Sequence, residues 1–185
     1  TFFGSVRYDG SDLFGVDPKY KYLPLWAVSG SWAVSEENFL KGNEVVSNLR
    51  LRASYGLQGN IDKNTSPYVV GSNQTTIILP GQTEPVITVT SPPNDKLRWE
   101  KTTNTNVGMD LGLFNNRISI VTDVYGRKST DLIGLQSLPV ENGFEYTNAN
   151  WAQVTNKGYE ISLSTRNIDR PNFKWNTTIN FAHNK

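Results

Sequence analysis

The sequence predicts an all-β chain: an antiparallel, up-and-down transmembrane β-barrel segment of about seven strands. Three observations carry this reading. The first is parity. In Leu49-Arg50-Leu51-Arg52-Ala53-Ser54-Tyr55-Gly56-Leu57-Gln58 every odd position is apolar or aromatic, and every even position is charged, polar or glycine. Successive side chains of a strand point to opposite faces, so this segment has one greasy wall and one wet wall. The same dyad recurs at 157–164 and 173–181. The second is composition: 37% of the 185 residues are hydrophobic, while Asn, Gly and Pro number 20, 15 and 9. That balance suits strands joined by tight turns and polar loops better than a compact core. The third is that long and short connections alternate, as in an up-and-down membrane barrel.

The elements follow in order. A first strand is expected at Phe2–Asp9, then a polar loop at 10–21. The second strand, Tyr22–Val34, carries its bulk on even positions (Tyr22, Trp26, Val28, Trp32). Ser35 followed by Glu36 and Glu37 reads as an N-cap for one helical turn. The third strand is Asn48–Gln58. An excursion from Gly59 to Lys96 is far longer than a usual connection; its β-branched runs, bounded by Pro67, Pro80, Pro85, Pro92 and Pro93, predict local hairpins. Strands at Leu97–Phe114 and Arg117–Leu132 flank Asn115-Asn116, which reads as a two-residue hairpin. A long loop, 133–155, precedes strands at Asn156–Arg166 and Phe173–His183. A bilayer crossing needs only about 9–11 tilted residues, so the longer strands would stand above it.

A soluble sheet with one solvated face shows the same parity. A secreted β-sandwich ligand-binding module is therefore the alternative, and it predicts a soluble monomer. A sandwich, however, has no reason to send its long loops to one end. A β-rich hydrolase is a further rival, resting on a carboxylate pair.

The net charge of +1 and the lack of a basic run argue against a nucleic-acid partner. Without cysteine there are no disulfides and no thiolate metal ligands. No stretch approaches 18 apolar residues, which speaks against a transmembrane helix and leaves a barrel open. The opening residues read as mid-strand and the last as uncapped strand, so a fragment of a longer polypeptide is expected.

No catalytic set and no cofactor or metal site is expected. The single histidine, His183, would have to serve any Ser/His/Asp triad. Asp110 and Asp123, on adjacent strands, have the residue types of a glycosidase pair; solvated pairing with Arg98, Arg117 or Arg127 explains them more simply. Asn60, Asp62 and Asn64 suggest a calcium loop but lack its glycine and closing glutamate. On the strands, Trp26, Trp32, Trp99, Tyr159 and Trp175 share the apolar parity and are expected to face lipid, with interfacial girdles among them. Tyr68, Phe144, Tyr146 and Trp151 fall in predicted loops. There they are candidate substrate-binding rings, able to stack on a sugar or peptide, with loop packing as the simpler role.

Several blocks carry a specific resemblance. Leu97-Arg98-Trp99-Glu100-Lys101-Thr102-Thr103-Asn104-Thr105-Asn106-Val107-Gly108-Met109-Asp110 resembles a signature stretch of the SusC/RagA family of TonB-dependent outer-membrane transporters of Bacteroidetes. Residues 113–119, 125–133 and 156–161 resemble the blocks that follow it, and 5–11, 49–56 and 58–60 those before it. The resemblance implies a 22-stranded barrel with an internal plug, located in the bacterial outer membrane. It implies TonB-driven import of a bulky nutrient, a glycan or peptide oligomer, by gated passage without bond chemistry. A SusD-like surface lipoprotein is the implied lid. On this view residues 1–185 are part of one barrel domain; the plug, the TonB box and the signal peptide lie elsewhere.

Overall fold

The computed structural model describes residues 1–13 and 17–185; residues 14–16 of the expected 10–21 loop lie outside the described residues. Seven strands form one antiparallel sheet: β1 (Phe2–Gly10), β2 (Tyr22–Ala33), β3 (Val46–Asn60), β6 (Glu100–Leu113), β7 (Ile118–Ser137), β8 (Tyr146–Arg170) and β9 (Phe173–Asn184). Spatial order follows chain order, with one interruption. Between β3 and β6 the chain makes a separate hairpin of β4 (Val70–Leu79) and β5 (Gln82–Ser91). This is the local hairpin expected in the long excursion. Pro80 and Gly81 join its strands, with Gly81 at φ 84°, the Pro-Gly order that a type II turn favours.

Register converts single-strand parity into two continuous walls. Directly opposite residues share a face. Trp26 pairs with Leu57, Leu51 with Met109, Val107 with Val124, Val124 with Tyr159 and Ile161 with Phe181. All of these lie on one wall. The other wall aligns Ser54 with Asn106, Asn106 with Tyr125, Arg127 with Asn156 and Ser162 with Asn180. The apolar wall is uncovered: Val6 is 82% exposed and Val124 60%. Such a continuous greasy surface far exceeds what soluble monomers display. The described residues contain no second sheet large enough to cover it, as a sandwich would.

Three expected elements are corrected. The 133–155 segment is not a loop: β7 and β8 continue as a paired hairpin to Ser137 and Tyr146, leaving only residues 138–145 between them. Its glycine and asparagines read as turn signals, yet cross-strand pairing overrides their weak strand preference. The β6–β7 connection spans residues 114–117 rather than two residues. Phe114, Asn115 and Asn116 all take positive φ, at 52°, 55° and 58°. Ser47 Oγ steadies them by accepting from Asn115 N at 2.7 Å, while Phe114 N donates to Val45 O at 2.8 Å. The turn after β2 is a 3-10 turn at Val34–Glu36, with Ala33 rather than Ser35 at its N-cap.

A small apolar core sits at the long-loop end. Leu23 and Leu25 of β2 pack with Leu97 and Trp99, and Ile61 and Ile133 lean on them. Trp99 is buried in this core and is not lipid-facing as its position suggested. It precedes β6, where no pleat fixes its direction, and it is 6% exposed with Nε1 donating to Lys21 O at 3.2 Å. Gly59 makes room for it: a β-carbon there would stand 2.7 Å from Leu23 and 3.1 Å from Trp99.

Candidate functional site

The wet wall forms a trough of about 860 Å³ across all seven strands of the sheet. Its lining mixes Ser, Asn and Gln with Arg127, Tyr125 and Phe3, and includes Trp26, Tyr55 and Leu57. Amide and hydroxyl side chains pair along it. Ser162 Oγ donates to Asn180 Oδ1 at 2.8 Å, Arg127 Nε to Asn104 Oδ1 at 3.1 Å, and the hydroxyls of Thr102 and Ser129 meet at 2.9 Å.

One charge contact of this wall crosses three strands. Arg52 on β3 donates to Asp110 Oδ1 on β6 at 2.9 Å and to Asp123 Oδ2 on β7 at 3.1 Å, both from Nη2. Its Nε also reaches Asp110 Oδ1, at 3.2 Å. Arg52 stands opposite Gly108, and Gly108 opposite Asp123. The missing side chain at 108 is the gap the guanidinium uses. Asp110 and Asp123 are thus brought together, but on a shared cation rather than as a free acid and base. The expected partners lie elsewhere: Arg98 binds Asp131, Arg117 binds Asn167 O, and Arg127 binds Asn104. The β3–β6 register was the signal that would have named Arg52, and it is not readable from one strand alone.

The four candidate aromatic residues separate. Phe144 and Trp151 line one cleft of about 620 Å³ at the long-loop end, together with Pro92, Lys96 and Gln136. Tyr146 and Trp151 lie on β8 rather than in a loop. Tyr146 is one residue out of phase with Thr147, Ala149 and Trp151, so it points to the opposite face and outside the cleft lining. Tyr68 precedes β4, is exposed, and is not among the lining residues. Below the cleft Asn150 acts as a clasp. Its Oδ1 accepts from Arg98 N at 2.9 Å, and its Nδ2 donates to Arg98 O at 2.8 Å and to Asp131 O at 2.6 Å. Asp131, at φ 57°, marks a bulge where β7 and β8 each slip once. The slips are opposite, so the register set at Ile118↔Thr165 is regained at Ile133↔Asn150.

The segment around Asp62, which lacks the glycine and glutamate of a calcium loop, forms an Asx turn. Asp62 Oδ1 accepts from Asn64 N at 2.9 Å and Oδ2 from Thr65 Oγ1 at 2.5 Å. These bonds, the Thr65 hydroxyl first, hold the Asp62 carboxyl below its ordinary range.

A one-layer sheet with an exposed apolar wall, a polar trough behind it and two hairpin excursions rising at one end defines a stretch of outer-membrane barrel wall. A family model described as TonB dependent receptor-like, beta-barrel matches residues 1–184. The chain belongs to this family, whose members are outer-membrane transporters rather than enzymes. It is 34% identical over 183 residues to TonB-dependent receptor P3 of Formosa agariphila, covering 98% of this chain and 18% of the relative. It is also 34% identical over 185 residues to TonB-dependent receptor SusC of Bacteroides thetaiotaomicron, covering 97% of this chain and 18% of that protein. Among solved structures it is similar to one described as the RagAB peptide importer in the open-open state. The TM-score is 0.84 at 26% identity, with 100% of this chain and 20% of the other covered. The closed-closed state gives 0.81 at 26% identity, over 99% and 20%. The chain therefore spans about a fifth of the length of these relatives.

Proposed function

We propose that residues 1–185 are wall strands of a barrel, of 22 strands by resemblance, that imports a glycan or peptide oligomer with energy from TonB. The observation that carries this is the two-walled sheet: a polar, cross-braced trough backed by an uncovered apolar face. Two further facts support it. The backbone edges of β1 and β9 are unpaired within the sheet, and an open sheet edge is not tolerated in lipid, so neighbouring strands of the same barrel would cover them. The β4–β5 excursion and the protruding β7–β8 hairpin also rise at one end, where a SusD-like surface lipoprotein would sit as a lid. The plug, the TonB box and the signal peptide belong, on this reading, to other parts of the same barrel protein.

The cleft carrying Phe144 and Trp151 is the proposed substrate contact of this segment; Tyr68 and Tyr146, outside its lining, are secondary candidates. The name SusC and the RagAB peptide importer support an oligomeric cargo without choosing between sugars and peptides. The test is uptake by cells expressing the intact transporter, with labelled maltooligosaccharides in one arm and labelled decapeptides in the other. Accumulation that is lost when TonB is deleted supports the reading. Recovery of the protein in a soluble fraction, or uptake indifferent to TonB, overturns it.

A further inference from the structure

On the apolar wall, one row of residues breaks the rule. Lys101 on β6, Lys128 on β7 and Lys157 on β8 all have the outward parity, and so does Lys185 directly after β9. The row is staggered. Lys101 stands opposite Thr130, two residues from Lys128; Lys128 stands opposite Thr155, two residues from Lys157. Lys157 and Lys185 are directly opposite, exchanging both backbone hydrogen bonds at 2.7 and 2.8 Å. Each step runs towards the short-turn end. The turns step the same way: Ile118, which opens β7, pairs with Thr165, while β8 continues to Arg170 before turning back. Strands of a barrel tilt by roughly 35–45°, and a stagger in this sense keeps the lysines at a common height. They ring the long-loop boundary of the apolar band.

The lysines frame a seat. A shallow outward depression of about 450 Å³ has Val107, Val124 and Gly126 as its floor and Lys157, Lys185 and His183 at its rim. Gly126 deepens it, because nothing lies within 4 Å of where its β-carbon would be. Tyr159 and His183 meet at its edge in a tilted contact, with centroids 5.6 Å apart. Among the described residues no carboxylate lies in salt-bridge range of Lys128, Lys157 or Lys185; only Lys101 has one, Asp131 at 3.4 Å. Like charges placed directly opposite on a sheet repel, and water is scarce at the boundary of the hydrocarbon. An anion between Lys157 and Lys185 would remove that repulsion, and the apolar floor beneath would accept a chain attached to it.

We infer that this outward seat binds a phosphate-bearing lipid of the surrounding leaflet, with acyl chain on Val107, Val124 and Gly126 and phosphate between Lys157 and Lys185. Lys128 lies at the same height on the neighbouring strand and adds to the field. The inference rests on the membrane reading above, since a soluble protein would meet no such lipid.

The experiment is native mass spectrometry of the intact transporter released from detergent and titrated separately with dioleoyl phosphatidic acid, dioleoyl phosphatidylcholine and inorganic phosphate. The wild type should retain phosphatidic acid roughly tenfold more tightly than phosphatidylcholine. The Lys157→Gln/Lys185→Gln pair should lose that preference while Lys41→Gln, at an exposed lysine remote from the seat, keeps it. Equal retention of the two lipids by the wild type overturns the inference, and needs no variant to fold. So does an undiminished preference in the double variant. Inorganic phosphate that binds alone, or competes at equal concentration, overturns the lipid source. Heat-modifiable migration of the same sample, the mark of a folded barrel, separates the two levels. A folded membrane barrel without lipid preference sinks only this inference, whereas a soluble protein sinks the membrane reading.

Discussion

The guanidinium of Arg52 lies across the α-carbon of Gly108. A β-carbon at 108 would stand 2.8 Å from Arg52 Nη2 and 2.5 Å from Asp123 Oδ1. The glycine is thus the passage through which one cation reaches two carboxylates on two further strands. Gly108→Ala should push the guanidinium off Asp123 and cost about 1–3 kcal/mol, the usual range for overpacking. Urea unfolding of the barrel in lipid vesicles, followed by tryptophan fluorescence, measures it; an unchanged midpoint refutes the passage.

Parity alone predicts that Arg52→Ala is benign, because the residue faces the wet wall. The three-strand bridge changes that expectation. Removal would leave Asp110 and Asp123 facing each other without their shared cation. Since the Arg52 side chain is 35% exposed, solvent screening holds the loss to about 1 kcal/mol. In the same unfolding assay Ser119→Ala, on the same wall outside this network, is the reference that should not move.

The lipid-facing assignment makes a sharper contrast between adjacent residues. Ile161 pairs with Thr122 and Phe181 on the apolar wall, whereas Ser162 binds Asn180 in the trough. Ile161→Arg should cost about 2–4 kcal/mol if it lies near the bilayer midplane, and Leu51→Arg should behave alike. Ser162→Arg should be far milder. Folding yields into vesicles of the three variants give the answer, and equal yields would reverse the walls.

Trp151 and Tyr146 are both exposed aromatic residues on β8, yet they point to opposite faces. If the cleft holds cargo, Trp151→Ala should lower uptake several-fold at limiting substrate, and Phe144→Ala should follow it. Tyr146→Ala should fall less. A larger loss at Tyr146 would move the contact to the other face.

Acid should open the 61–69 loop late. The folded carboxyl of Asp62 is held below its ordinary value by Thr65 Oγ1 and then Asn64 N. A lowered folded value means that its contribution is complete above the unfolded value and fades as pH falls through the folded one. A spin label at Lys63→Cys, unique because the chain has no cysteine, should stay immobile from neutral pH to just below the ordinary aspartate range and loosen beneath it. Asp62→Asn should loosen it at every pH.

The strands of the sheet were legible where parity was strict, as in Leu49–Gln58, because a one-residue slip would turn every apolar side chain into the trough. The protruding part of β7 and β8 was not. Around Gly134 and Asn148 the two faces are similar in polarity, so periodicity carries no signal and only the partner strand defines the structure. Trp99 misled for a related reason: alternation was continued one residue past the pleat. The candidate site divided on the same line. Trp151 and Phe144 meet in one cleft because β8 extends to Tyr146, a fact of pairing. Arg52 was missed because its partners lie on other strands, brought near by register.

The order of the sheet bears on how such a wall is made. Nearly every strand pairs with the one synthesised just before it, so the sheet can lengthen hairpin by hairpin with little search through distant segments. The single jump, from β3 to β6, closes over a stretch that β4 and β5 have already folded back on itself. Loop-closure entropy rises only slowly with length, by about 0.6 kcal/mol per doubling. Even that step adds little delay, and the growing edge always offers a fresh, unpaired strand to the next arrival.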